Sequence, residues 1–170
     1  YDIPGLVLIP AAVRKLSVPV IASGGIGDGR GMAAALALGA EGVNMGTRFS
    51  ATVEAPMHEN IKRALVEASE VDTRLIFRTL KNTARVLKNE ISESVLEIEA
   101  QPGATDFADL RPLVAGARGK AALASGDVND GVITAGMVVG LIDDIPTCAE
   151  LIQRMVREAR EHLARASSYF

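Results

Sequence analysis

The sequence predicts an α/β protein, and three features near its N-terminus carry this expectation. Two short apolar runs, VPVIASGG at 18–25 and AEGVNMGTRF at 40–49, carry glycines close to their carboxyl ends, and the alanine-rich stretch GRGMAAALALG at 29–39 separates them. Continuous apolar runs of this length are typical of strands buried in a parallel sheet. The unit of about thirty residues therefore predicts two parallel strands joined by a right-handed crossover helix.

Local signals mark both ends of the crossover helix. Asp28 precedes the alanine-rich stretch and can accept hydrogen bonds from the first free backbone N–H groups of a helix. Gly39 follows the stretch and suits the left-handed conformation that commonly ends a helix. Upstream, we expect residues 10–16 to be the end of a preceding helix.

The α/β alternation stops at Ser50, where the apolar spacing changes to that of helices. We predict helices near 57–68 and 72–88, a half-exposed strand at 94–100 and a short helix at 107–115. Residues 116–131 have the composition of a loop with one helical turn. This middle third is therefore predicted to be a separate cap or insertion domain of α+β type, covering 50–130.

The last forty residues return to long apolar patterns. Residues 131–142, rich in glycine and alanine, predict a buried helix. A long amphipathic helix is expected to start at Pro146 and reach about Ala166. We thus divide the chain into 1–49, 50–130 and 131–170. The apolar stripe of the last helix comprises Leu151, Ile152, Met155, Val156, Ala159 and Leu163.

The glycines at the two strand ends indicate an anion site. Bare backbone allows tight turns and lets amide N–H groups approach a ligand closely. Gly24 and Gly25 follow the first strand, while Gly46 and Thr47 end the second. Because neighbouring parallel strands end on the same rim of the sheet, we expect both sets of amides to lie side by side. The Thr47 hydroxyl would be a further donor, and the N-terminus of the crossover helix would favour an anion.

Three interpretations of this pattern stay open. Two adjacent strand ends with glycine turns match the phosphate site after the seventh and eighth strands of a (β/α)₈ barrel. A dinucleotide fold is the competitor, but it requires an acidic residue at the end of the second strand, where Gly46 and Thr47 stand. Plain tight turns without a ligand are the third possibility.

Composition limits the classes of function. The chain has 170 residues, a net charge of −3, one cysteine and no long apolar stretch. These values argue against nucleic-acid and membrane partners, exclude an internal disulfide and favour the cytoplasm. Because the sequence begins at Tyr1 in a stretch typical of a domain interior, we expect it to be a fragment.

Few side chains suggest chemistry. His58 and His162 lack a nucleophile or metal-ligand partner at useful spacing, and Cys148 lacks a nearby general base, so we expect structural roles for all three. No metal site is predicted. We interpret one face of the predicted helix at 72–88 as a solvated surface; attraction of NADH is a less favoured interpretation, and nucleic-acid binding is the least favoured. Five basic residues share this face. They are Arg74, Arg78, Lys81, Arg85 and Lys88.

Three motifs identify a resemblance. PVIASGGIGDGRGMAAALALGAEGVNMGTRF at 19–49, LKNTARVLKN at 80–89 and AGMVVGLIDDIPTCAEL at 135–151 resemble the nitronate monooxygenase (2-nitropropane dioxygenase) family. The similarity is strongest to its bacterial NADH:quinone reductases. It covers essentially the whole chain and corresponds to the C-terminal half of family members.

The resemblance implies an FMN-dependent oxidoreductase built as a TIM barrel with a cap. Its FMN phosphate would be held at positions matching Gly25, Gly46 and Thr47, with Ser23 and Gly24 alongside. The family's catalytic histidine would lie upstream of Tyr1, so no catalytic residue is predicted in this chain, and the rest of the barrel would come from missing sequence or another chain. NADH is the implied electron donor, and a quinone or an alkyl nitronate the implied small-molecule substrate.

Two alternatives remain at this point. The chain could be a truncated, non-catalytic module that binds flavin or a partner, or it could belong to a barrel enzyme that binds a phosphorylated substrate in place of FMN.

Overall fold

A computed structural model describes residues 3–103 and 106–170. Its elements, in chain order, are α1 (Gly5–Lys15), β1 (Ile21–Ser23), α2 (Gly29–Ala37), β2 (Gly42–Asn44), α3 (Thr47–Ser50), α4 (Glu59–Glu67), β3 (Thr73–Ile76), β4 (Ala84–Leu87), α5 (Glu90–Glu99), α6 (Phe107–Val114), α7 (Gly116–Ser125), a 3₁₀ helix (Met137–Leu141) and α8 (Cys148–Ser167). No helix among the described residues has the length and apolarity needed to cross a membrane.

The strand–helix–strand unit forms as predicted. Strands β1 and β2 pair in parallel, with Ser23 opposite Asn44, and α2 connects them. The Asp28 carboxylate accepts a hydrogen bond from the Gly31 backbone N–H at 2.9 Å. Gly39 adopts a φ of 97° directly after the helix, where a side chain would be strained. Both end signals of the crossover helix are therefore confirmed.

Strand β1 is more exposed than the sequence suggested. A strand buried on both faces was predicted, yet Ile21 is 56% exposed and Val18, just before the strand, is 63% exposed. The reason is that the sheet formed by β1 and β2 has only two strands, so the side of β1 away from β2 has no neighbour within the described chain.

Helix α8 packs against α2 and confirms the predicted C-terminal helix. Leu151 and Met155 of α8 are buried in one apolar cluster with Ala22, Ile26 and Ala35. The two helices approach so closely that a Cβ on Gly29 would overlap the Glu158 side chain and the backbone of α8. Small residues on α2 thus allow a contact that a larger side chain would prevent. Ile152 and Leu163, predicted as part of the buried stripe, are 50% and 40% exposed.

The helix predicted at 72–88 is wrong, because this segment forms a hairpin. Strands β3 and β4 pair antiparallel, with Leu75 opposite Arg85. Phe77 and Lys81 adopt positive φ values of 64° and 54° in the connection, which is incompatible with a continuous helix. Arg74 and Arg85 consequently lie on opposite faces of the hairpin, so the predicted basic stripe does not exist.

The strand predicted at 94–100 is also wrong, since these residues belong to α5. Asn89 and Ser92 form a reciprocal cap at the start of this helix, with the Ser92 N–H donating to Asn89 Oδ1 at 2.8 Å and the Asn89 N–H donating to Ser92 Oγ at 2.9 Å. Ile91 and Val95, one turn apart, then face Leu110 of α6 in a buried cluster. The cap and this helical spacing outweigh the local alternation.

Two further segments differ from the prediction. The stretch predicted as a loop at 116–131 is mostly helix α7, which ends at Gly126 with a φ of 82°. The helix predicted at 131–142 is instead an extended segment followed by the 3₁₀ helix. The extended part pairs with β4, as the Leu87 N–H donates to the Ile133 carbonyl at 2.8 Å. These bonds to a distant strand replace those of a helix.

The segment after the predicted cap packs with elements inside it. Ile133, Val139 and Ile142 share an apolar cluster with Ile61 of α4 and Leu87 of β4. The predicted helices near 57–68 and 107–115 correspond to α4 and α6. The division of the chain at 49/50 and 130/131 stays a prediction.

Replacing Asn89 with alanine should destabilise the fold around α5. Besides capping α5, the buried Asn89 side chain donates from Nδ2 to the carbonyls of Val128 and Gly131, both at 2.7 Å. Loss of the cap and of two donors to these carbonyls should lower the free energy of unfolding by about 2 to 4 kcal/mol. Urea denaturation measures this difference. The matched variant Asn82→Ala, at an exposed hairpin position, should keep a free energy of unfolding near that of wild type. Equal losses of stability in both variants would contradict the structural role assigned to Asn89.

Candidate anion-binding site

The structure brings the predicted site residues to one rim of the β1–β2 sheet. Ser23 and Asn44 are register partners at the carboxyl ends of the two parallel strands. Asn44 Nδ2 donates to Ser23 Oγ at 3.5 Å, which links the two strand ends through their side chains. The chain then turns at Gly24 and Gly25 after β1, and at Gly46 and Thr47 after β2. Both turns therefore leave the sheet side by side.

Open space surrounds the glycines of these turns. Gly24 and Gly25 have φ values of 91° and 74°, a conformation that L side chains rarely adopt. A Cβ placed on Gly24, Gly25 or Gly46 would meet no other atom within 4 Å. The glycines thus leave the backbone of both turns accessible to a ligand, because no protein atom packs against them.

The backbone amides of the two turns are free to donate. Besides the bonds internal to the helices and strands, no hydrogen bond from the N–H groups of Gly24, Gly25, Gly46 and Thr47 to a protein acceptor is found across residues 3–103 and 106–170. Neighbouring backbone N–H groups at strand ends can together bind an anion. We call these four amides, with the Ser23 and Thr47 hydroxyls, the cradle.

Helix α2 contributes less to the cradle than the sequence suggested. Its own N-terminal amides are occupied by carboxylates, since Gly29 N–H donates to Glu158 Oε2 at 3.0 Å and Gly31 N–H donates to Asp28 Oδ1. These two negative side chains offset the partial positive charge of the helix end. An anion in the cradle would therefore depend on the amides of the turns themselves.

The Thr47 hydroxyl is held from outside the sheet. Its Oγ1 accepts a hydrogen bond from the Gly136 backbone N–H at 3.0 Å. A hydroxyl that accepts in this way still has its own hydrogen to donate. The predicted role of Thr47 as an additional donor is thus compatible with its geometry, although the ligand role of every cradle residue stays a prediction.

Arg48, immediately after the cradle, is the most unusual charged residue in the fold. It is 1% exposed, and its Nη2 donates to the carbonyls of Ala51 and Asp144, both at 2.8 Å. Nη1 lies 3.3 Å from Asp144 Oδ1, whereas Nε has no partner. Burial lowers the pKa of the Arg48 guanidinium, and the Asp144 carboxylate opposes this shift. The side chain remains a cation at neutral pH.

Asp144 joins Arg48 to helix α8. Its two carboxylate oxygens accept from Arg154 Nη1 at 2.6 Å and Nη2 at 3.0 Å, a bidentate pair. The Arg154 hydrogen bond, with the charges of Arg154 and Arg48, holds the pKa of the Asp144 carboxyl below its usual range. Asp144 is therefore ionised at neutral pH and bridges two guanidinium groups.

Sequence reasoning missed Arg48, Asp144 and Glu158. The only local signals were an arginine directly after the Gly-Thr strand end and acidic residues beside apolar stretches. Glu158 precedes His162 by four residues, a spacing that suits a pair on the surface of α8. Its carboxylate accepts from Gly29 in the structure, while His162 Nδ1 lies 3.2 Å from Arg165 Nη2.

The remaining candidate side chains have structural partners. His58 Nδ1 accepts from the Asn60 N–H at 3.1 Å and caps α4. The Cys148 N–H donates to the Glu54 carboxylate, and its Sγ lies 3.6 Å from Thr52 Oγ1. In the two described stretches of chain, no group of three or more His, Cys, Asp or Glu residues could hold a metal ion.

A cleft of about 360 Å³ also lies at the start of α2. Both signs of charge line it, with Arg30 and Arg154 facing Asp143 and Glu158. Because positive and negative side chains are balanced in this cleft, we expect it to bind an anion less favourably than the cradle does.

A family comparison matches most of the chain. The model of the family described as nitronate monooxygenase matches residues 4–158. A protein of Mycobacterium tuberculosis (strain ATCC 25618 / H37Rv), named (3aS,4S,5R,7aS)-5-hydroxy-7a-methyl-1-oxo-octahydro-1H-indene-4-carboxyl-CoA dehydrogenase, is 33% identical over 92% of this chain and 54% of its own length. A probable nitronate monooxygenase of Bacillus subtilis (strain 168) is 43% identical over 56% of this chain and 28% of its own length.

Solved structures show the same architecture. FabK from Thermotoga maritima is similar over 100% of this chain and 53% of its own, with 36% identity and a TM-score of 0.92. A nitroalkane oxidase from Streptomyces ansochromogenes is similar over 96% of this chain and 45% of its own, with 29% identity and a TM-score of 0.74. Both are TIM-barrel enzymes, so the predicted fold class is confirmed: the chain forms part of a TIM barrel. It spans about half the length of these proteins.

The Asp144 bridge predicts a measurable dependence of stability on acid. A carboxyl whose pKa is depressed in the folded state stabilises the fold above its unfolded pKa of about 3.9, and this contribution is lost as the pH falls through the lower folded value. Asp144→Asn should therefore unfold more readily at pH 7 and lose less further stability between pH 5 and 2 than wild type. Urea titrations across this range test the difference, and parallel pH curves for the two proteins would refute the bridge.

Proposed function

The chain belongs to the nitronate monooxygenase family, and on this basis we propose that it supplies the FMN-phosphate half of a flavin-dependent oxidoreductase. The cradle is the observation that carries the proposal. The N–H groups of four residues in two turns have no protein acceptor outside the bonds internal to the helices and strands, and the glycines among them border open space at the carboxyl ends of two adjacent strands. This is where TIM barrels commonly bind phosphate.

The residues present fit a phosphate monoester better than a bulkier or neutral group. Glycines at 24, 25 and 46 leave the backbone uncovered, so that phosphate oxygens can approach the amides directly. The Ser23 and Thr47 hydroxyls lie beside the same turns and add neutral donors. No lysine or arginine of the cradle itself is required, because amide N–H groups can solvate the dianion.

Bound flavin would supply the redox chemistry: in a quinone reductase NADH would be the electron donor and a quinone the acceptor, whereas in a monooxygenase an alkyl nitronate would be the donor and molecular oxygen the acceptor. This chain's part would be to bind and orient the cofactor through its phosphate. No side chain described here is proposed as an acid or base. We further propose a cytoplasmic protein that acts on small molecules and has no nucleic-acid partner.

Completion of the barrel is part of the proposal. Val18 and Ile21 are exposed beside β1, and α1 contains no buried residue. On the other side, Ile152 of α8 is half exposed. These two apolar edges flank the two-stranded sheet, as expected where further barrel strands and helices pack. We propose that the remaining barrel units cover them, supplied by the same polypeptide or by another chain.

A coenzyme A thioester is a second candidate substrate class, favoured by one observation. Relatives named carboxyl-CoA dehydrogenases align with 89% and 92% of this chain, including its middle third. The relatives named probable nitronate monooxygenases align with 54% to 56%. The greater length of these alignments makes a coenzyme A thioester a candidate substrate class beside the quinone and the alkyl nitronate.

Gly46→Ala should weaken FMN binding without weakening the fold. Gly46 has a φ of −85°, which alanine adopts without strain, and the added Cβ would touch no protein atom. The methyl group would instead enter the space proposed for the phosphate. We expect at least a tenfold loss of FMN affinity, measured by quenching of flavin fluorescence, and a free energy of unfolding within about 0.5 kcal/mol of wild type.

Gly116→Ala is the matched control, because its Cβ also meets open space and its φ is not positive. It should bind FMN as wild type does. Unchanged FMN affinity in Gly46→Ala would rule out a phosphate at this turn. If wild type binds neither FMN nor another phosphate ester, the alternative of a non-catalytic module without a cofactor replaces the proposal.

Substrate class can be resolved with the reconstituted barrel. With added FMN, one of three reactions should occur: NADH oxidation by a quinone, oxygen consumption with an alkyl nitronate, or reduction of the flavin by a saturated acyl-CoA. Turnover of the acyl-CoA alone would establish the second candidate, and turnover of the quinone or nitronate alone would exclude it. Absence of FMN-dependent turnover with all three would contradict the oxidoreductase proposal.

A further inference from the structure

The second turn of the cradle lacks the means to hold its own shape. It continues into α3, which comprises only Thr47–Ser50. A single helical turn is unstable by itself, because the cost of ordering its backbone exceeds the gain from one or two hydrogen bonds. The directions of the Gly46 and Thr47 amides must therefore be set by contacts with other parts of the fold.

Arg48 provides these contacts from within α3. Its side chain closes back on the Ala51 carbonyl just after the helix and reaches the Asp144 carbonyl, with both bonds at 2.8 Å. Its Nη1 also lies near the Asp144 carboxylate. The guanidinium thus joins the end of α3 to a segment almost one hundred residues away.

Helix α8 anchors that distant segment in turn. The Asp144 carboxylate forms a bidentate pair with Arg154, and Arg154 lies next to the buried Met155 of α8. On the other side of α3, the Gly136 N–H donates to Thr47 Oγ1. The turn is therefore held on both sides by residues of one segment, 136–144, which α8 fixes to the barrel.

We propose that Arg48 is a positioning residue that aims the Gly46 and Thr47 amides at the phosphate and so sets the preference for phosphorylated over unphosphorylated flavin. This inference rests on the proposed function. Arg48 itself does not need to contact the ligand, because protein acceptors engage both of its Nη atoms. It acts through the backbone that it holds.

The shape of the guanidinium distinguishes positioning from simple attraction of the anion. A planar fork can bind two carbonyls and a carboxylate at once, whereas a lysine ammonium carries the same charge but cannot reproduce this geometry. If Arg48 merely contributed positive charge near the phosphate, Arg48→Lys would retain FMN affinity. If it positions the amides, lysine fails despite the retained charge.

The test titrates the full chain with FMN and, separately, with riboflavin, which lacks the phosphate, and follows backbone amide NMR signals. In wild type, FMN should shift the signals of Gly24, Gly25 and Gly46, and riboflavin should not. Arg48→Lys should keep a dispersed, folded spectrum but bind FMN at these amides at least tenfold more weakly. Arg63→Lys, at an exposed arginine paired only with Glu59, is the matched control and should bind as wild type does.

Each outcome decides between explanations. A folded Arg48→Lys protein with wild-type FMN affinity overturns the positioning role. If wild type itself shows no phosphate-dependent shift, the proposed function fails first and this inference with it. If Arg48→Lys does not fold, Asp144→Asn is the second variant, because it keeps the backbone carbonyl of residue 144 but loses the ionic bridge. It should weaken FMN binding at least threefold. An unchanged FMN affinity would refute the inference.

Discussion

The site depends on the free amide N–H groups of two chain turns that leave neighbouring parallel strands on the same rim. Gly24, Gly25 and Gly46 are exposed, so their N–H groups are hydrated in the free protein and can donate to an anion in place of water. Gly24, Gly25 and Gly46 keep the backbone uncovered at the position where the parallel register places the two strand ends together. The open backbone and the strand register together define the cradle.

The cradle is built by residues that lie far apart in the sequence. Glu158 contacts the start of α2 and Asp144 contacts Arg48 of α3, so both meet partners more than ninety positions earlier in the chain. Both carboxylates are held at α8, Glu158 as part of the helix and Asp144 through Arg154. Helix α8 therefore satisfies the start of α2 and, through Asp144, holds Arg48 in the turn that follows β2.

Local signals were enough to predict the elements that depend on neighbours in sequence. Asp28 and Gly39 marked the ends of α2, and the apolar spacing from Leu151 onwards marked α8. At 94–100 a local signal was overlooked, namely the reciprocal cap of Asn89 and Ser92. The errors at 72–88 and 131–142 lie where distant residues decide. The arginine and lysine spacing at 74–88 fits a helix, but the pairing of β3 with β4 and the positive φ values of Phe77 and Lys81 produce a hairpin. The extended backbone at 133–135 likewise depends on β4. Arg48 could not be identified as buried, because its partner Asp144 is distant in sequence.

A crystal structure of the FMN complex, with the barrel complete, would test the central claim most directly. The account predicts phosphate oxygens within about 3 Å of the backbone nitrogens of Gly25 and of Gly46 or Thr47, so that both turns contact one phosphate group. A phosphate bound elsewhere, for example in the cleft between α2 and α8, or held by only one of the two turns, would contradict it.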